Sequence, residues 1–492
     1  MQKISALLHK FPRWAAVGAG ALSAYGFEPW GLWPLTLACF ALLIHLIARA
    51  QSAKSAFMLG WFFGLGHFTF GNQWIAVAFT FQAAMPIWLG YIAVFALALY
   101  LAVYPALAAA GAYWINRLIT QNVRHSREGG NPTPELSIEP EGQELDSRLR
   151  GSDDSLNRTA SIPLVLAFAG LWIITEWLRS WVFTGYVWNP LSVSLIETGI
   201  PQLFIHNIGT YGLSGIVVLI SGALLFAMRY IVSPRFAVGM PKSGSWIGIA
   251  FGTVFVLPVM IVTLHPPLID YMFGPQRTVR TDTALTIAQP NISQADKYAP
   301  GYDAINFAKL AMNSRPMPDQ GPRLILWPEA AIPDYLETGY PYRYYQGQPG
   351  ESAAGARARL TTLMGEGDVL ATGANRLVID KGQLVAARNS VSAMDANGNL
   401  LGHYDKAHLV PYGEYLPLPW LLRPLGLARL VPGDLDFWPG PGARTMTVML
   451  NGKPVKIGIQ ICYEMIFSGQ VVDRNNRPDF IFNPSNDAWF GT

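Results

Sequence analysis

The first half of the chain consists of long apolar runs separated by short polar segments, and this pattern rules out a single water-soluble core. A helix that crosses the hydrocarbon core of a bilayer needs about 20 mostly apolar residues, and about seven runs approach that length. The runs are Trp14–Pro29, Leu32–Ile47, Ala56–Phe79, Pro86–Ile115, Ile162–Phe183, Ile208–Ile231 and Trp246–Leu264. We therefore expect a multi-pass α-helical membrane domain over residues 1–265. A signal peptide is the alternative for the first run, but the further runs favour an anchoring helix.

The composition supports a membrane-embedded chain. Of its 492 residues, 51% are hydrophobic and only 14% are charged, whereas about 25% are charged in a typical soluble domain. A net charge of +3 is too small to predict a nucleic-acid partner. The two cysteines, Cys39 and Cys462, do not form the framework of a disulfide-rich protein. Cys39 lies inside an apolar run and is typical of inert packing, which leaves Cys462 as a free thiol.

The distribution of Lys and Arg predicts the topology. Basic residues precede the first run and occupy alternate loops, whereas segments 28–31, 82–85 and 184–204 contain none. Cytoplasmic loops carry the excess of Lys and Arg, so the N-terminus is expected in the cytoplasm. An odd number of spans then places residues 266–492 in the periplasm of a bacterial inner membrane. The charged, Pro- and Gly-rich segment near 121–160 is typical of a disordered cytoplasmic insertion, and no function is predicted for it.

The second half of the chain changes character. Short apolar runs alternate with polar segments and predict strands at "TALTIAQ", "RLILWPE", "DVLATGA", "KIGIQICYE" and "DFIFNPS". Asn-Gly pairs in "MDANGNLLGHY" and "VMLNGKPVKIG" predict two hairpins. The segment "SAAGARARLTTLMGEG" predicts a helix that ends at a glycine. The pattern indicates an α/β domain outside the bilayer.

Three predicted strands of this domain end in groups that carry chemistry: Glu329, Lys406 and Cys462. A thiol with an ordinary pKa near 8.5 needs help to become a nucleophile at neutral pH. A glutamate can accept its proton, and a lysine can stabilise both the thiolate and a later oxyanion. Two alternatives stay open on these residues: Cys462 as a buried core thiol, and a Cys–His arrangement with His403 or His408.

The ordered motifs make the interpretation more specific. "WPE", "YDKAHLVPYGEY" and "ICYE", followed by "NDAWFG" on a membrane-anchored chain, resemble the apolipoprotein N-acyltransferase family of the nitrilase (carbon-nitrogen hydrolase) superfamily. The resemblance implies a multi-pass α-helical membrane domain plus an α/β nitrilase-like αββα sandwich. It implies Glu329 as general base, Cys462 as nucleophile and Lys406 as stabiliser of the tetrahedral intermediate. Glu414 would orient the lysine, and Tyr463 and Glu464 would flank the nucleophile.

The resemblance also implies the reaction. Cys462 would take an acyl chain from a phospholipid, typically phosphatidylethanolamine, as a thioester. The α-amine of the diacylglyceryl-cysteine of an apolipoprotein would then accept it, in a ping-pong scheme without metal or cofactor. The alternatives are a membrane-tethered nitrilase-type amidase and an inactive remnant. The remnant follows from a further expectation, that the sandwich is C-terminally truncated after Thr492, because family members continue beyond this point.

One substrate contact departs from the family pattern. Where the family commonly has Trp, "QADKY" has Tyr298, which is expected to contact substrate.

Charged and polar residues inside the apolar runs also call for interpretation. Glu176 and Arg179 are three residues apart and predict an ion pair near the outer end of a span, with a functional role as the alternative. His67, with Asn72 and Gln73, is a candidate for the lining of a lipid-facing cavity.

Overall fold

The computed structural model describes residues 10–81, 87–128, 160–232 and 283–486, apart from 298, 300, 319, 423 and 425–435. The chain divides into two compact units, 1–73 with 91–277 and 74–90 with 278–492. The predicted domain boundary near residue 265, the apolar run 246–264 and most of the 121–160 insertion lie outside the described residues. Residues 121–128 belong to the helix Val103–Glu128, so this part of the segment is helical and not disordered as its composition predicts.

The first unit is helical. Its helices, including one that crosses the division between the units, are Pro12–Ser23, Trp33–Ala48, Ala53–Gly71, Ile87–Leu101, Val103–Glu128, Ile162–Arg179 and Ile200–Val232. Within the described part of the chain, three helical segments are long and apolar enough to cross a membrane: Trp88–Asn122, Ile162–Arg179 and Leu203–Arg229. Trp33–Ala48 is apolar but shorter. The chain is therefore a multi-pass membrane protein, while the count of seven spans and the topology stay predictions.

Small residues let these helices approach closely. A Cβ at Gly64 would lie 2.8 Å from the Cα of Ala102 on the neighbouring chain segment, so only glycine fits there. Close backbone approach of this kind favours helix association in a bilayer, because lipid tails are as apolar as the side chains and packing decides which surfaces pair. Fully buried Phe40, Phe63 and Phe168 fill the core of this unit.

The second unit contains two β-sheets. The strands are β1 (Ala284–Ile287), β2 (Arg323–Leu326), β3 (Val369–Asp380), β4 (Gln383–Asp395), β5 (Leu400–Asp405), β6 (Thr445–Leu450), β7 (Lys453–Ile459) and β8 (Phe480–Phe482). The first sheet has the order β1-β2-β3-β4-β5, in which β1, β2 and β3 are parallel and β4 and β5 continue it in antiparallel fashion. In the second sheet β7 pairs with β6 in antiparallel and with β8 in parallel orientation.

The sheets pack face to face, and helices cover the outer face of the first one. One apolar cluster joins residues such as Leu326 and Val391 of the first sheet to Ile457 and Ile459 of the second. A separate cluster joins the opposite face of the first sheet to the helices Asp303–Asn313 and Ala353–Thr361. The order of helix layer, sheet and sheet agrees with the predicted sandwich.

Most of the predicted elements of this unit are confirmed. All the predicted strands are present, and Asn451 and Gly452 form the β6–β7 turn with φ of 53° and 72°. The helix predicted over residues 352–367 is shorter and ends at Thr361. The reason is local: the carboxylate of Asp368 accepts hydrogen bonds from the backbone N–H groups of Gly365 and Arg323, which ties the segment after the helix to β2.

Candidate active site

Two of the three predicted strand-end residues meet directly. Glu329 follows β2 and Lys406 follows β5, and Lys406 Nζ lies 3.3 Å from Glu329 Oε1. Lys406 Nζ also lies 3.1 Å from both carboxylate oxygens of Glu414, the residue expected to orient it. All three side chains are buried, and Lys406 is 1% exposed. Burial alone would lower the pKa of Lys406, but the two carboxylates outweigh it and hold that pKa above its ordinary value.

An asparagine that the sequence did not single out joins the two carboxylates. Asn389 lies on β4, and its Nδ2 donates to Glu329 Oε1 at 2.7 Å and to Glu414 Oε1 at 2.8 Å. The backbone carbonyl oxygen of Asn389 also accepts the backbone N–H of Lys406 at 2.9 Å. Asn389 therefore fixes both carboxylates and the start of the lysine segment at once. The sequence signal was weak, because Asn389 stands in the middle of a strand rather than at its end.

Cys462 lies in a strained turn shortly after β7, from which Gln460 and Ile461 separate it. It begins the short 3₁₀ helix Cys462–Ile466 with a φ of 51°, in the left-handed region that non-glycine residues seldom adopt. Its backbone N–H donates to Pro484 O at 2.9 Å, and Asn483 Nδ2 donates to its carbonyl oxygen at 3.1 Å. Such a conformation costs on the order of 1–3 kcal/mol and persists where the surroundings determine it, most often at functional sites.

The charges around Cys462 come from the same carboxylates and lysine. Burial raises the pKa of the Cys462 thiol to about 12, Glu329 and Glu414 also raise it, and Lys406 and a hydrogen bond with Ser485 oppose them. Burial would raise the pKa of Glu329 as well, but Lys406, Lys297 and the hydrogen bonds hold that pKa below its ordinary value. At rest the pair is therefore a neutral thiol beside an ionised carboxylate. This arrangement suits a proton transfer that accompanies attack by sulfur.

Glu464 connects the cysteine turn to the lysine segment. Its Oε1 accepts hydrogen bonds from the backbone N–H groups of Ala407 and His408, at 2.7 and 3.0 Å, and from the Tyr404 hydroxyl at 2.9 Å. Its Oε2 accepts the backbone N–H of Ile461 at 2.7 Å. Glu464 is 1% exposed, so these donors replace its hydration.

The aromatic neighbours of the turn have packing roles. The ring of Tyr463 is buried edge-on against Phe467 at 5.0 Å, and the ring of His408 stacks on Phe467 at 4.2 Å. His403 is exposed and lies near Arg376 and Asp405. The described contacts therefore give the Cys–His alternative no support, because the charged groups acting on Cys462 are carboxylates and a lysine.

A second lysine approaches the site. Lys297 Nζ donates to the backbone carbonyl of Glu329 at 3.1 Å, and its charge acts on Cys462 and Lys406. The sequence contained this lysine within "QADKY", but only the fold brings it to Glu329. The adjacent Tyr298, expected to contact substrate, lies outside the described residues.

A cleft opens beside Glu329. Its lining includes Lys297, Glu329, Asn375 and Ser485. Within the described ranges, no group of three or more His, Cys, Asp or Glu side chains is placed to hold a metal ion.

Two family models match the chain. Residues 19–223 match the apolipoprotein N-acyltransferase N-terminal domain, and residues 285–492 match the carbon-nitrogen hydrolase domain. Among curated relatives, the apolipoprotein N-acyltransferase of Rhodopseudomonas palustris is 30% identical over 97% of this chain and 78% of its own length. This chain belongs to the apolipoprotein N-acyltransferase family. The relative of that name from Brucella melitensis is 29% identical over the same shares of the two chains.

Membership in the apolipoprotein N-acyltransferase family makes the chain an acyltransferase with a nitrilase-type domain, and it confirms the predicted fold class. Solved amidases from Nesterenkonia species are also similar. One is 16% identical with a TM-score of 0.23 and covers 41% of this chain and 64% of its own. Another is 19% identical with a TM-score of 0.23 and covers 43% and 68%.

Proposed function

We propose that this apolipoprotein N-acyltransferase family member moves an acyl chain from a phospholipid to the α-amine of diacylglyceryl-cysteine on an apolipoprotein, through a thioester on Cys462. The names of the relatives support transfer of an acyl group to an apolipoprotein. The observation that carries the proposal is the buried contact of Lys406 with Glu329 and Glu414, whose charges act on the Cys462 thiol. We propose phosphatidylethanolamine as the donor.

The first half-reaction forms the thioester. Cys462 Sγ attacks the ester carbonyl of the phospholipid while Glu329 accepts the thiol proton. The carbonyl oxygen becomes an oxyanion, which Lys406 and the backbone N–H of Tyr463 stabilise. The intermediate collapses with cleavage of the C–O bond, and the leaving lysophospholipid oxygen takes the proton from Glu329.

The second half-reaction uses the same groups in reverse order. The neutral amine of the acceptor attacks the thioester carbonyl, and Glu329 accepts a proton from nitrogen as the C–N bond forms. The C–S bond then breaks, and Glu329 returns the proton to Cys462 sulfur. The product is an amide, and the site recovers its starting protonation state without a metal or cofactor.

We further propose that the catalytic unit faces the periplasm of an inner membrane. The alternation of Lys- and Arg-rich loops supports this orientation. An alkaline phosphatase reporter fused after residue 300 of the chain would be active under this proposal, and a reporter that stays cytoplasmic would contradict it.

The experiment that tests the function is intact-mass spectrometry of the purified full chain after incubation with phosphatidylethanolamine. Wild type and Cys39→Ala should gain one acyl mass that hydroxylamine removes, and Cys462→Ala should gain none. Addition of a diacylglyceryl-cysteine peptide should discharge the adduct and yield the triacylated peptide. Full transferase activity in Cys462→Ala would contradict the thioester route. Ammonia release from a small amide, with no acyl adduct, would favour the amidase alternative.

A further inference from the structure

We infer that Lys297 is a second cation of the active site, which stabilises the thiolate of Cys462 while the acyl group is transferred. The inference rests on the proposed function, in that it takes Cys462 as the nucleophile. It adds Lys297 to Glu329, Lys406 and Cys462, the residues that the motifs pointed to.

The position of Lys297 is well determined by its neighbours. It ends the short helix Gln294–Lys297, in which Ser293 accepts the backbone N–H of Asp296 through its side chain and that of Lys297 through its carbonyl. Asn306, from the helix Asp303–Asn313, donates to the carbonyl of Asp296 at 3.2 Å. The half-buried side chain of Lys297 then reaches Glu329 O at 3.1 Å.

A count of charges explains why a second cation is needed. Lys406 contacts two carboxylates, Glu329 and Glu414, so these three groups carry a net charge of −1. With the neutral Cys462 thiol included, the net charge is still −1. Moving the Cys462 proton to Glu329 leaves this total at −1 but places negative charge on sulfur in a buried site, where uncompensated charge is costly. With Lys297 the sum is zero before and after the transfer.

The other charged groups near Lys297 fit this role. Burial and the charge of Lys406 hold the pKa of Lys297 below its ordinary value, and Glu329 and Cys462 partly offset this lowering. The charged residues that line the same cleft are Glu329, Asp303 and Arg359. The attraction between Lys297 and Cys462 is mutual. Since the Cys462 thiolate favours the protonated form of Lys297, protonated Lys297 also favours formation of the thiolate.

A purely structural role for Lys297 would also account for its hydrogen bond to the backbone carbonyl of Glu329. Lys297 could serve only to hold the backbone of Glu329 through its hydrogen bond, with no effect of its charge on sulfur. Two substitutions separate these roles. Lys297→Gln keeps a hydrogen-bond donor and removes the charge, whereas Lys297→Arg keeps the charge.

The test is the rate of alkylation of Cys462 by iodoacetamide in the purified full chain, measured by peptide mass spectrometry across pH. This readout involves neither acyl donor nor acceptor, and the peptides separate Cys462 from Cys39. Lys297→Met and Lys297→Gln should be alkylated about tenfold more slowly at a given pH, which is a shift of about one pH unit. Lys297→Arg and the control Lys309→Met should stay close to wild type.

A wild-type profile in Lys297→Gln would overturn the inference, since it would show that the hydrogen bond alone matters. A wild-type profile in Lys297→Met would overturn it as well. If Lys297→Met does not fold, the comparison of Lys297→Gln with Lys297→Arg still decides. Failure of the proposed function is a separate result, because it would appear as full transferase activity in Cys462→Ala.

Discussion

Glu464 accepts a 2.7 Å hydrogen bond from the backbone N–H of Ala407, the residue that follows Lys406. The other oxygen of the same carboxylate accepts the N–H of Ile461, the residue that precedes Cys462. A single side chain thus holds the lysine of the first sheet and the cysteine of the second at a fixed separation. Buried polar networks of this kind set geometry when every donor has its acceptor.

Glu464→Gln should therefore separate the two parts of the site. An amide has one acceptor oxygen and presents N–H groups where the carboxylate accepts, so at least one of the four donors loses its partner. We expect a loss of about 2–3 kcal/mol in the free energy of unfolding. The measurements are thermal unfolding and formation of the Cys462 acyl adduct. The exposed Glu366→Gln is the control, and equal stability of the two variants would contradict the prediction.

The pH dependence of acylation should reflect Glu329. Burial alone would raise the pKa of Glu329, but Lys406, Lys297 and hydrogen bonds from Asn389 and Lys406 hold it below the usual 4.5. The ionised form of Glu329 therefore contributes its full stabilisation above the unfolded-state pKa. This contribution, and the ionised base itself, are lost as the pH falls through the lower folded-state pKa. The rate of acyl-adduct formation should stay constant down to about pH 4.5 and fall below it.

Asn389→Ala should raise the pH at which the acylation rate begins to fall, here called the acid limb of the pH profile. The substitution removes one of the hydrogen bonds that favour the ionised form of Glu329. Asn313→Ala, at an exposed position at the end of the helix Asp303–Asn313, should leave the pH dependence unchanged. An acid limb above pH 4.5 in wild type, or an unchanged limb in Asn389→Ala, would count against Glu329 as the base.

The sequence predicted the parts of the site that depend on where strands end. Glu329, Lys406 and Cys462 each follow a recognisable apolar strand, so their location was readable without a structure. Asn389 was not found, because a polar residue inside a strand looks like ordinary alternation until the register places it beside Lys406. Lys297 was missed for a similar reason, since only tertiary packing brings the end of a four-residue helix to Glu329.

The position of Glu329 should depend on a glycine of the adjacent strand. Gly373 on β3 accepts the backbone N–H of Ala331 at 2.9 Å, and a Cβ there would lie 2.3 Å from Pro328 O and 2.4 Å from Ala330 N. Gly373→Ala should push the Glu329 segment away from Lys406. Overpacking of this kind typically costs about 1–3 kcal/mol, and a base displaced by about 1 Å lowers the rate by on the order of 100-fold.

The control for this substitution is Gly321→Ala, because a Cβ at Gly321 meets nothing within 4 Å. The two variants are compared by thermal unfolding and by the initial rate of acyl-adduct formation. A Gly373→Ala protein that acylates at the wild-type rate would show that Glu329 does not need its present position.

We expect the buried ion pair between Glu176 and Arg179 in the helical unit to stabilise the fold. Glu176 and Arg179 are 5% and 3% exposed and lie 3.8 Å apart, as their spacing predicted. Glu176 Oε1 also accepts the backbone N–H of Leu191 at 2.9 Å and Trp172 Nε1 at 3.3 Å, which fixes the segment after the helix. Glu176→Gln keeps an oxygen for these donors but leaves Arg179 buried without its counterion. Loss of one partner of a buried pair costs about 3–5 kcal/mol.

A double-mutant cycle tests the pair in the purified full chain. Glu176→Gln and Arg179→Met should each lower the unfolding temperature strongly, and the double variant should be more stable than the sum predicts, with a coupling of about 1–3 kcal/mol. The exposed Glu197→Gln should change the free energy of unfolding by no more than about 0.5 kcal/mol. Strictly additive effects would contradict the pairing. A stable double variant that no longer forms the acyl adduct would instead support the functional alternative for these two charges, because stability and acyl transfer would then have separated.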